Sequence, residues 1–213
     1  MEIMVAISMT AAIGLMIAIA FSSSFKSKEL IEADADRYRA LRTAMSRMER
    51  EIAASFVSDH YDATRYRDQN DRPTNFIGTK NHLLFTSLAH QRLYTDAKES
   101  DQMVVEYSVK ASPDRKARDR NDLIRRQNPN LDEKMDKGGT EDILFEGAKQ
   151  IEFSYWDSDK KDWADEWDTR QLARKANLPS RVRITLTAKD ENGKDQKYMT
   201  QTRIMLNTEL PRF

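Results

Sequence analysis

The chain has 213 residues, with 35 Lys plus Arg balanced by 35 Asp plus Glu, giving a formal net charge of zero. That balance argues against a general nucleic-acid binder, whose affinity rests on neutralising phosphates. The absence of cysteine excludes disulfides, thiolate zinc sites and cysteine nucleophiles, and a hydrophobic share of 39% is too rich for a disordered chain.

The first element is apolar. No charged residue occurs from Ile3 to Phe25, and about 23 helical residues at ~1.5 Å each reach roughly 34 Å, enough to cross a hydrocarbon core of about 30 Å. A cleavable secretory signal would require a basic stretch before the run, where only Met1 and Glu2 stand. The apolar residues surround the axis instead of forming one stripe, which argues against a core helix. Residues 1–25 therefore read as a single membrane span. Ser8, Ala11 and Gly14 are small positions that let a second helix approach closely in lipid. The plain alternative is the tolerance of small residues in any span.

Glu2 places a carboxylate at the edge of this helix, costly there unless it is neutral, snorkelling or paired. The plain alternative is a residue at headgroup level. Lys26 and Lys28 follow the span, whereas cytoplasmic flanks normally carry the basic excess. Basic residues upstream of Met1 would reconcile the two, so the expectation is a start further upstream.

No Pro or Gly lies between Gly14 and Arg72, which predicts one helix running on to about Val57, roughly 80 Å long. Within residues 26–58, Tyr38, Leu41, Met45, Met48, Ile52 and Phe56 recur at three- and four-residue steps among charged neighbours. This is an amphipathic stem, and Tyr38, Leu41, Met45, Met48 and Ile52 are its expected contacts with a sheet.

Residues 59–213 read as a β domain. A polar connection over 61–80 carries Pro73 and Gly78. Strands are predicted over Leu83–Leu88, around Met103–Val109, around Ile151–Tyr155, over Val182–Ala188 and over Lys197–Leu206. Asn192-Gly193 signals a hairpin between the last two. Residues 111–140 are charged, contain Pro113, Pro129, Gly138 and Gly139, and read as a long excursion around a short strand at Leu123-Ile124. The fold class is α+β: a long N-terminal helix packed on an antiparallel sheet.

A search for chemistry is negative. There is no Gly-rich phosphate loop, no G-x-S-x-G and no H-E-x-x-H, and His60, His82 and His90 do not converge locally on a metal. No nucleophile or acid/base pair can be named, so no enzyme and no cofactor are expected. The acidic run 157–168 fits an EF-hand loop only in part. It supplies Asp157 and Asp159, but puts Lys161 at the fifth position and Asp162 where the sharp turn needs Gly. An irregular calcium site at Asp157, Asp159 and Asp162 is the lesser reading; a solvated turn with Trp163 and Trp167 packed back on the sheet is the stronger one.

The layout resembles that of type IV pilins and type II secretion pseudopilins. Met1 to Ile7 looks like the family's processed N-terminus from the position before its glutamate, so the resemblance puts Glu2 in that glutamate's place. Leu144 to Asp157 is similar to the "L-x-G-V-x-x-L-x-F-x-F-x-D" segment of the minor pseudopilin J subunit, the GspJ family. Trp163 and Trp167 resemble its "W-x-x-x-W", and Leu178 to Leu186 its "L-P-x-x-V-x-x-x-L" strand. The resemblance implies a non-enzymatic minor pseudopilin near the tip of a periplasmic pseudopilus that helps export folded proteins. It further implies a single-pass inner-membrane anchor with the C-terminal domain in the periplasm. The implied partners are the I, K and H minor pseudopilins, the major pseudopilin G, an inner-membrane assembly platform, and a prepilin peptidase that cleaves and N-methylates the chain. The role it implies for Glu2 is subunit register. Two alternatives stand beside it: a minor pilin of a type IV pilus, and a membrane-anchored periplasmic binding module.

Overall fold

The computed structural model describes residues 2–58, 73–91, 94, 96, 100–114, 117, 119–131, 134–171, 174, 177–190 and 193–206, with the side chains of Leu30 and Ala33 excepted. His60, Asn192 and most of the expected 61–80 connection lie outside these residues. The chain divides into two units, Met1–Arg42 and Thr43–Phe213. Helix α1, Glu2–Ala53, runs unbroken through 52 residues, as the absence of proline allows.

The first unit is helix alone. Its charged half is laced by Lys28–Glu32 at 3.6 Å and Asp36–Arg39 at 3.0 Å, pairs three and four residues apart.

The second unit holds the last turns of α1 and ten strands. These are β1 Phe76–Gly78, β2 His82–Ser87, β3 Met103–Ala111, β4 Asn121–Asn128, β5 Thr140–Glu146, β6 Ala148–Asp157, β7 Asp162–Ala164, β8 Trp167–Asp168, β9 Arg181–Lys189 and β10 Asp195–Arg203. They form two sheets, ordered β5-β4-β3-β2-β1-β8 and β10-β9-β6-β7. Every described pairing is antiparallel.

Alternation along β6 and β9 sends Ile151, Phe153, Tyr155, Val182, Ile184 and Leu186 inward, each no more than 1% exposed. From the first sheet, Phe76 meets Tyr155 edge-on at 5.8 Å and Phe85 at 5.9 Å, so the aromatic core spans both sheets. Phe153 N–H donates across to the Lys80 carbonyl at 2.7 Å.

Several expectations are corrected. The short strand at Leu123-Ile124 is eight residues long, because β4 buries Asp122, Arg125, Arg126 and Asn128 alongside its apolar pair. Sequence polarity hid it: Arg125 and Arg126 pair with Glu51 and Glu106, which are distant in the chain, while Asp122 pairs with Arg120 two residues before it. Strand β5 starts at the last residue of the expected excursion and is not among the expected strands, because it lies on a sheet edge with mostly exposed side chains and no apolar alternation marks it. Strand β1 lies at the end of the expected connection, three residues long and held between β2 and β8. The final strand ends at Arg203, not Leu206, since Ile204 N–H turns to the Ser180 carbonyl at 3.2 Å.

Candidate functional site

In the first unit the side chains of residues 2–25 are exposed, including Ile3, Met4, Leu15, Met16, Ile19 and Phe21. By length and composition this helix is able to cross a membrane. Its polar side chains are satisfied within the helix. Ser8 Oγ donates to the Val5 carbonyl and Thr10 Oγ1 to the Ala6 carbonyl, each at 2.8 Å. Such back-bonding removes hydroxyls from competition in an apolar medium. A Cβ built on Gly14 meets nothing within 4 Å, so Ser8, Ala11 and Gly14 stand on open helix surface. Glu2 lies in the first turn, where a carboxylate faces the free N–H groups of the helix start.

Along the stem stripe, Leu41 is 5% exposed, Met45 9%, and Met48 and Ile52 0%. Tyr38 is 62% exposed. Helical spacing reveals a stripe but not where along the axis its cover begins.

The second unit anchors the end of α1 by polar contacts that the sequence left unread. Arg125 of β4 reaches Glu51 bidentately, Nε to Oε2 at 3.0 Å and Nη2 to Oε1 at 2.9 Å. Tyr107 of β3 donates its hydroxyl to Glu51 Oε2, and Arg47 Nε adds a bond to Oε1 at 3.0 Å. Burial together with the Glu51 charge pushes the Tyr107 phenol well above its ordinary value, so it stays a donor. Burial by itself would lower the Arg125 guanidinium, and the Glu51 hydrogen bonds and charge outweigh it.

The open carbonyls of the last helical turn are met in the same way. Ser87 Oγ donates to the Glu51 carbonyl at 2.7 Å, Met205 N–H to Ala53 at 3.0 Å and Leu88 N–H to Ala54 at 3.0 Å. Glu49 holds the second sheet through Thr200 Oγ1, while its carbonyl accepts from Thr202 Oγ1 at 3.3 Å. A second charge cluster stiffens the first sheet. The His82 hydrogen bond, working against burial and joined by Arg126, holds the Glu106 carboxyl down at about 2.

The calcium candidates are not assembled into a cluster. Asp157 Oδ1 accepts from the Asp159 and Lys160 N–H groups at 3.1 and 3.2 Å, and its Oδ2 pairs with Arg174 at 3.3 Å. Among the described residues no group of three His, Cys, Asp or Glu is placed to hold a metal. Asp157 stands opposite Asp162 across a β6–β7 hairpin whose turn ends on Lys161 at φ 53°, a connection between strands and not a loop wrapped around an ion. Trp167 is 5% exposed, and its indole N–H donates to the Asn177 carbonyl at 2.8 Å.

An N-terminal helix whose first half is apolar and exposed, and whose last turns are built into antiparallel sheets, defines a structural subunit of the pseudopilin class. The family described as type II secretion system (T2SS), protein J matches residues 19–200, and the chain belongs to that family, the minor pseudopilins of type II secretion. The fold is similar to that of a chain in the crystal structure of the GspK–GspI–GspJ complex from the enterotoxigenic Escherichia coli type 2 secretion system. That similarity has a TM-score of 0.51 at 14% sequence identity and covers 78% of this chain and 97% of that one. No curated protein sequence matches the chain.

Proposed function

We propose that this minor pseudopilin works at the tip of the pseudopilus, joined to the I and K subunits, and aids export of folded proteins across the outer membrane. The observation that carries the reading is the family match over residues 19–200, which takes in the end of the apolar helix, the whole stem and both sheets except the last three residues of β10. The related fold in a complex of GspK, GspI and GspJ supports the choice of partners. Residues 1–25 anchor the chain in the inner membrane with the sheets on the periplasmic side. The H and major G subunits adjoin this group, a prepilin peptidase processes and methylates the N-terminus, and the inner-membrane platform assembles it. Glu2 pairs with the N-terminal amine of a neighbouring helix, setting axial register where an unpaired charge is penalised. Tyr38, exposed on the stem, is available to neighbouring subunits.

The test mixes a fragment of residues 26–213 with the periplasmic domains of the organism's I and K minor pseudopilins. Size-exclusion chromatography with light scattering and calorimetry should give a defined complex, with a Kd of about 1 μM or tighter. A fragment that stays monomeric in the presence of both would overturn the tip assignment.

A further inference from the structure

One cross-strand row spans the whole second sheet. Arg203 of β10 stands opposite Arg181 of β9, Arg181 opposite Trp156 of β6, and Trp156 opposite Trp163 of β7. Paired residues share a face, and Val182 and Tyr155, the neighbours of this row, are fully buried; the row therefore lies on the outer face. The two indoles meet edge-on at 5.3 Å, and Arg183, two residues along β9 on the same face, lays its guanidinium 4.0 Å over the Trp163 ring. Arg181 and Arg203 are exposed, while Arg183 and both indoles are half-buried.

The charges on this face do not balance locally. Among the described residues, no carboxylate forms an ion pair with Arg181, Arg183 or Arg203. Two acids of β6, the strand that carries Trp156, are engaged elsewhere: Asp157 with Arg174 at 3.3 Å, and Glu152 with Lys80 at 3.6 Å and Lys197 at 4.0 Å. Elsewhere the chain pairs its buried guanidiniums closely, as at Arg125 and Arg126. Three unpaired guanidiniums beside two fixed indoles combine the residue types that dominate protein contact energies with a charge that calls for its opposite.

We propose that this outer face docks an acidic segment of a protein partner, its carboxylates on Arg203, Arg181 and Arg183 and its apolar side chains on the Trp156–Trp163 platform. Four strands at ~4.8 Å spacing make a row about 14 Å long, the reach of four or five extended residues and too long for one phosphate. The indoles are held by each other and by Arg183, lying against the sheet, which suits a flat protein contact better than insertion between lipid chains. Nothing in this assignment depends on the pseudopilus role.

The probe is an end-blocked peptide, Asp-Leu-Glu-Phe-Asp-Leu, titrated into the full chain in nonionic detergent micelles while indole fluorescence is followed. Two of the chain's 3 tryptophans sit in the row, so saturable binding should change the emission. Affinity should fall as salt rises. It should weaken about tenfold or more in the double variant Arg181→Gln/Arg203→Gln, and be unchanged in Lys110→Gln on the first sheet. Both variants carry exposed substitutions, and matching far-UV circular dichroism establishes that they are folded. Four results would each overturn the proposal: no saturable signal, equal binding by the double variant, equal binding of the peptide with Asn and Gln in place of its acids, or competition by inorganic phosphate or phosphatidylglycerol vesicles as strong as by the peptide.

Discussion

Arg125 carries its guanidinium into the core with 1% of its surface exposed, where an unpaired charge would cost several kcal/mol. Glu51, at 2%, is the acid that makes this tolerable, and the two arrive from β4 and from α1. Without Arg125, Glu51 keeps only the Tyr107 hydroxyl and the partly exposed Arg47. Arg125→Met should destabilise the 26–213 fragment by about 3–5 kcal/mol in urea unfolding. Adding Glu51→Gln should recover a large part of that loss, because the buried charge is then gone from both sides. Additive losses in the double variant would show that the pair is not energetically coupled. The sequence places Arg125 inside a polar stretch and Glu51 on a charged helix, with nothing to signal that they meet.

Among the elements, β1 is the shortest to carry a large share of the packing. It pairs β2 on one side and β8 on the other, and its Gly78 admits the Tyr155 ring from the opposite sheet. A Cβ at Gly78 would overlap the hydroxyl of the fully buried Tyr155, which donates to the Thr79 carbonyl at 2.9 Å. Gly78→Ala should therefore cost about 1–3 kcal/mol in thermal or urea unfolding, through overpacking. Gly193 offers the contrast. Its φ of +73° is strained for any side chain, but nothing lies within 4 Å, so Gly193→Ala should cost only about 1 kcal/mol. Equal losses at the two positions would contradict the overlap at Gly78. Gly193 was legible as a turn from its dipeptide and its flanking strands. Gly78 reads in the sequence as a loop residue, because the ring it accommodates is 77 positions away in β6.

For the molecule as a whole, one helix serves two environments. Its first half is apolar all round and exposed all round, while its last turns bury Ala44, Met48 and Ile52 completely. The proposed register role of Glu2 belongs at this scale, since it concerns neighbouring copies and not the fold. Glu2→Ala should leave the chain in the membrane fraction but reduce its incorporation into sheared pseudopili several-fold; undiminished incorporation would remove the role. Stability of the 26–213 fragment cannot respond to this change, which separates assembly from folding.

What the sequence determined by itself was whatever local period and composition encode. The uncharged run from Ile3 to Phe25 marks a helix long and apolar enough to cross a membrane; the stripe through Leu41, Met45, Met48 and Ile52 marks a buried helical face; alternation along β6 and β9 marks strands with one face inward. Tertiary structure decided what depends on partners distant in the chain. It extended β4 by pairing buried Arg125 and Arg126 with Glu51 and Glu106, it left Tyr38 exposed, and it turned Asp157 toward Arg174 and its own turn, away from any shared ion. It also set Arg203, Arg181, Trp156 and Trp163 in one row from three separate stretches of chain. A residue's own type fixes the cost of burying it, but only the fold supplies the partner that offsets that cost.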